Sequence, residues 1–111
     1  YYTYPEDWTK SFYGARDALS NLLTYGDVSE KDKAAAKADY AALQKDIMEE
    51  FAEMKAAVAA ADTKEAKQAA ATTASNKMSE KVYEKTVKMH NKLQKKQEAR
   101  AWFGSLLNKN S

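Results

Sequence analysis

The chain has 111 residues, of which 44% are hydrophobic and 31% charged, with a net charge of +2 and a mean hydropathy of −0.76. That is enough apolar material for one domain and too much for global disorder, and no run approaches the ~20 apolar residues of a membrane-spanning helix. There is no cysteine, which excludes disulfides, zinc–thiolate sites and thiol catalysis.

Only three glycines and one proline punctuate a chain rich in alanine and lysine, so helix formers dominate and an all-α, up-and-down bundle is expected over residues 1–111. Thr3 and Glu6 have capping-box spacing, with Pro5 in the first turn, and predict a first helix from Thr3. Trp8, Phe12, Ala15, Leu19 and Leu22 give it one apolar stripe. Gly14 allows close packing, and Gly26, in Thr24-Tyr25-Gly26-Asp27, is suited to a left-handed helix end.

A second helix is predicted from a cap at Ser29, with Asp32 in its acidic first turn, and nothing stops it before about Ala61. Its stripe is Ala36, Tyr40, Leu43, Ile47, Phe51, Met54 and Val58. Asp62 and Glu65 repeat the capping signature and open the next helix. The alanine-rich stretch 56–74 buries little area, so this end of the bundle is expected to be the less stable one. Thr72-Thr73-Ala74-Ser75-Asn76 is a weak helix former. The stripe then resumes at Met78, Val82, Thr86, Met89 and Leu93, and Ala101, Trp102, Leu106 and Leu107 form an apolar tail interrupted by Gly104. Three helices result if the last is continuous and four if it breaks near residue 75. Four is favoured, because an unbroken third helix would overhang its neighbours.

No catalytic triad, phosphate-binding glycine loop or metalloprotease motif is present, and adjacent acids such as Glu49-Glu50 point apart on a helix, so no enzyme is expected. The only histidine, His90, is weighed as a haem or metal ligand with Met48 or Met54. Without an attachment motif it reads as a helix boundary residue, and no cofactor is expected.

Charge is divided unevenly. Residues 1–61 carry 7 basic and 11 acidic side chains, and residues 62–111 carry 11 and 5. Halves of opposite sign attract one another when helices pack antiparallel, or else meet different partners, and internal complementarity is favoured. Lys77, Lys81, Lys85, Lys88, Lys92 and Lys95 fall within roughly 80° of one helix face, with Lys96 adjoining. Such a face suits an acidic protein, a phosphate backbone or an anionic headgroup. The lack of interleaved arginine and aromatics argues against nucleic acid, and peripheral membrane association stays open. Tyr1, Tyr2 and Tyr4 at one end, with Trp102 and Phe103 at the other, are candidates for docking on a larger partner.

Tyr4-Pro5-Glu6-Asp7 and Arg16-Asp17-Ala18-Leu19 resemble the opening helix of the small lumenal assembly factor of photosystem II, a family of helical bundles of about this size. The long second helix and the alanine- and lysine-rich character are similar to PsbQ-like extrinsic subunits. At the second helix the pattern departs, since Asp39-Tyr40 is followed by Ala-Ala-Leu-Gln-Lys where the assembly factor has an aromatic, arginine-rich end, and no functional residue carries across. The resemblance implies non-catalytic docking on a photosynthetic membrane complex from the thylakoid lumen. The start on Tyr1 rather than Met is read as the end left by removal of a targeting segment, or as a trimmed chain.

The sequence therefore points to an accessory or structural subunit of a larger, membrane-embedded assembly. The alternative is a free-standing binding module for nucleic acid or anionic lipid, working through the lysine face.

Overall fold

The computed structural model describes residues 12–109. The described chain is all-α and forms three helices: α1 (Phe12–Tyr25), α2 (Glu30–Ala60) and α3 (Lys64–Lys109). The expected helix start at Thr3 and the stripe residue Trp8 lie outside the described residues. The expectation of four helices is overturned, because α3 runs unbroken for 46 residues. No glycine or proline lies between Lys64 and Phe103, so nothing there removes a backbone donor. Thr72, Thr73, Ser75 and Asn76 each cost no more than about 0.7 kcal/mol relative to alanine. That is a weak reason to end a helix whose Ala70, Ala71 and Ala74 are partly buried.

The helix ends are set by local chemistry. Ser29 caps α2, its Oγ accepting from the Asp32 backbone N–H at 3.1 Å. α3 opens one residue later than expected, because Thr63 rather than Asp62 acts as the cap: its Oγ1 accepts from the Ala66 N–H at 3.0 Å. α1 ends at Tyr25, as the Gly26 turn predicts, but for a different reason. No described glycine has positive φ. A Cβ on Gly26 would instead sit 2.5 Å from the Leu22 carbonyl oxygen and 2.7 Å from both Gln97 Oε1 and Leu22 Cδ1. Glycine is required here by space, not by handedness.

The helices make a rod rather than a ball. The principal extents are 73 × 27 × 16 Å and the radius of gyration is 19.0 Å, against about 13 Å for a compact chain of this length. The accessible surface of 7993 Å² likewise exceeds the roughly 6,100 Å² expected of a compact monomer of this mass. α2 and α3 form a long antiparallel hairpin, and α1 lies against α3 beside the start of α2. The core gathers where all three helices overlap: Leu22, Ala36 and Leu93 are buried, with Leu19, Leu23 and Val28 packed on them. Ala15, Ala18, Leu43 and Met89 are also buried. Gln97, 1% exposed, fixes the α1–α2 turn to α3, its Oε1 accepting from the Asp27 backbone N–H at 2.9 Å.

Two positions of the α2 stripe depart from expectation, for Tyr40 is 55% and Phe51 45% exposed. At 100° per residue both lie on the flank of α2 turned away from its acids. Lys55 covers one face of Phe51, its Nζ 4.8 Å from the ring centroid.

The acidic first half and the basic second half meet along the hairpin. Arg100 pairs with Asp27 at 3.0 Å, Lys96 with Asp32 at 2.7 Å, and Lys92 with Asp39 at 3.7 Å. Further along, Lys81 and Lys77 both reach Glu50, at 3.1 and 3.4 Å. The numbers rise on one helix as they fall on the other, so the pairs mark one antiparallel register. The hydrogen bond from Lys96 holds the Asp32 carboxyl below its ordinary 3.8, against the opposing effect of burial. Glu50 is held below 4.5, first by the hydrogen bond from Lys81, and Lys81 is raised above 10.5, first by its hydrogen bond to Glu50.

Leu22→Ala should lower unfolding free energy by about 2–5 kcal/mol, and Gly26→Ala by about 1–3 kcal/mol through overpacking, both measured by urea titration. The ion pairs set a pH dependence. Lowered carboxyls contribute stability that is complete above their unfolded values and lost as pH falls through the folded ones, whereas the raised lysine contributes below 10.5 and loses it above. The urea midpoint should therefore be flat near neutrality and fall below about pH 4.5 and above about pH 10.5. Asp32→Asn with Glu50→Gln should flatten the acid limb, and an unchanged acid limb would contradict the assignment.

Candidate interaction surfaces

The described residues present an exposed apolar stripe, a lysine face and an open groove. No group of three or more His, Asp or Glu among them could hold a metal ion. His90 is only 5% exposed, so it is a buried residue rather than the boundary residue expected, and its Nδ1 lies 3.2 Å from Asn91 Oδ1. Met48 is 73% exposed. The hairpin register sets His90 level with about residue 41 of α2, so Met54 lies roughly 20 Å further along the rod at 1.5 Å per residue. The three do not converge on a cofactor.

The C-terminal turns of α3 form the first surface. Arg100 is tied to the turn below it through Asp27 at 3.0 Å, and every residue from Ala99 to Asn108 is exposed. Trp102 is 60%, Phe103 57%, Leu106 42% and Leu107 70% exposed. With Ala99 these positions recur at helical spacing and make one apolar stripe. Trp102 and Phe103 meet edge to face, ring centroids 4.9 Å apart at 76°. Together the four large side chains leave on the order of 400–500 Å² uncovered, within the range of the largest patch on a typical monomer. Gly104 lies on the other side of the helix, where an added Cβ would meet nothing within 4 Å.

The lysine face is the second. Lys77, Lys81 and Lys92 are engaged with acids of α2, and Lys96 beside them with Asp32. Lys85 and Lys88 border a depression of about 290 Å³ that also takes in Asp39 and Asp46. Lys95 lies further round, with Tyr83 and Val87. The stripe foreseen from spacing is real, but about half of it closes the hairpin. Tyr1, Tyr2 and Tyr4 lie outside the described residues.

A third surface went unnoticed in the sequence. Between α1 and α2 runs an open groove of about 590 Å³, with Leu19, Leu23, Ala36 and Met89 below and Tyr40 at its edge. The legible signal was the division of α2 itself. Asp32, Asp39 and Glu50 share one flank while Lys33, Lys37 and Tyr40 share the other, so only one flank can face α3.

Comparison of the chain with protein-family models, with curated proteins and with solved structures gives no match.

An immediate test of the lysine geometry is charge reversal. Lys96→Asp alone should lower the thermal midpoint, and Lys96→Asp with Asp32→Lys should recover most of the loss. No recovery in the double variant would contradict the pairing.

Proposed function

We propose that the protein is a non-catalytic accessory subunit that docks on a larger protein assembly through the C-terminal turns of α3. The supporting observation is the run of exposed residues after Arg100, which carries Trp102, Phe103, Leu106 and Leu107. Aromatic side chains on rigid helix are efficient anchors, since they bring large contact area at little entropic cost. This anchor continues α3 directly from the three-helix core, past the α1–α2 turn, while the two-helix stretch of the rod runs the other way. Docking on a photosynthetic membrane complex from its lumenal side is the more specific form of the proposal, and it rests on the resemblance of residues 4–19 alone.

The competing reading, a lysine-driven module for nucleic acid or anionic lipid, is weakened by Lys77, Lys81, Lys92 and Lys96, whose ammonium groups are already committed to α2. Lys85, Lys88 and Lys95 remain to serve it.

The test is migration of the added protein with a large complex from its source extract on a sucrose gradient, with and without about 1 M salt. Anchoring by the tail predicts co-migration that resists salt. Trp102→Ala with Phe103→Ala should weaken it at least about tenfold while moving unfolding free energy by less than about 0.5 kcal/mol, since both side chains are mostly exposed. Release by salt with no effect of the double variant would transfer the function to the lysines.

A further inference from the structure

We infer that the open groove between α1 and α2 is a docking site for an amphipathic helix of a partner protein, apolar on one face and acidic along its edges. This goes beyond the tail-anchored docking proposed above and uses a different surface.

α1 and α2 each pack chiefly on α3 and barely on each other, so three of the four positions of a helix bundle are filled and the groove marks the fourth. Its floor is apolar, from Leu19 and Leu23 on α1, Ala36 on α2 and Met89 on α3. At about 590 Å³ it has room for several side chains from one helix face. Tyr40 stands at its edge, 55% exposed, as an aromatic anchor does before its partner arrives. An extended or polar ligand would leave this floor wet, whereas a helix with an i, i+3, i+4 apolar stripe covers it.

The rim decides the partner's charge. Lys33 and Lys37 stand one turn apart on α2, and Arg16 faces them from α1, where it is paired with Asp17 at 3.7 Å. Glu30 is the one acid among the described residues lining the groove, 3.5 Å from Lys33. The other acids of this part of α2, Asp32 and Asp39, are turned to α3 and neutralised there. The hairpin register thus sends carboxylates inward and leaves ammonium groups along the groove. A second copy offers a poor match, because its exposed apolar segment, residues 101–108, holds no carboxylate to meet the rim.

The test uses the full chain and two synthetic helical peptides of about four turns, sharing one leucine stripe and differing only in glutamate or lysine at the edge positions. Fluorescence anisotropy should show the glutamate peptide binding at least tenfold more tightly than the lysine peptide. Lys33→Glu with Lys37→Glu should reverse the preference, and Tyr40→Ala should weaken the glutamate peptide several-fold, giving a readout even if the reversed variant folds poorly. Trp102→Ala with Phe103→Ala should leave peptide binding unchanged, which separates this site from the tail. Equal binding of the two peptides, binding of neither, or an unreversed preference in a folded charge-reversed variant would overturn the inference. So would sedimentation showing that a second copy already fills the groove.

Discussion

The governing constraint is a mismatch of lengths. At 1.5 Å per residue α3 is about 69 Å long, α2 about 46 Å and α1 about 21 Å. α1 and α2 also overlap one another along α3 instead of dividing its length between them. One stretch of α3 is therefore covered by two of the described helices, a longer stretch by one, and the last turns by neither. The buried core sits at the doubly covered stretch, around Leu22, Ala36 and Leu93. The exposed aromatic tail begins where cover ends, just past Arg100. The high surface area and the elongated shape are consequences of the same mismatch.

Charge then fixes which faces of the unequal helices meet. An alanine-rich interface offers little shape to lock register, because small side chains make shallow ridges. Asp27, Asp32, Asp39 and Glu50 each meet a cation on α3. Exposed pairs of this kind add little net stability one by one. Their service is to select the face and not the depth, since cations recur at each turn of α3 from Lys77 to Arg100 and a slide of one turn would set the same acids against the next one. Burial of Asp32 and Gln97 at the turn end reinforces the choice.

Much of this fold was legible in the sequence. The apolar period marked the helical segments without settling whether the last was one helix or two, Ser29 was legible as a cap, and the stripe from Met78 to Leu93 as an inward face. The opposed charges of the two halves foretold an antiparallel pairing, and the lysine spacing was real. Three things were not legible. The polar stretch Thr72–Asn76 looked like a break, because propensity counts local cost and does not show that Ala70, Ala71 and Ala74 are partly buried in the hairpin. Gly26 looked like a left-handed cap, because sequence shows the residue and not Gln97 packed against it from 71 positions away. Tyr40 and Phe51 looked like core, because a stripe records which face is apolar and not whether a neighbouring helix is long enough to cover it. The groove was missed for that reason too.

The central claim is that the last turns of α3 are uncovered helix awaiting a partner. Hydrogen–deuterium exchange of the chain, alone and in the presence of the isolated assembly, addresses it directly. The prediction is fast exchange of amides after Arg100 in the free chain, slow exchange around Leu22 and Leu93, and strong protection of the tail once the assembly is added. A tail that is already protected in the free chain, or that stays unprotected while the lysine face of α3 gains protection, would contradict it.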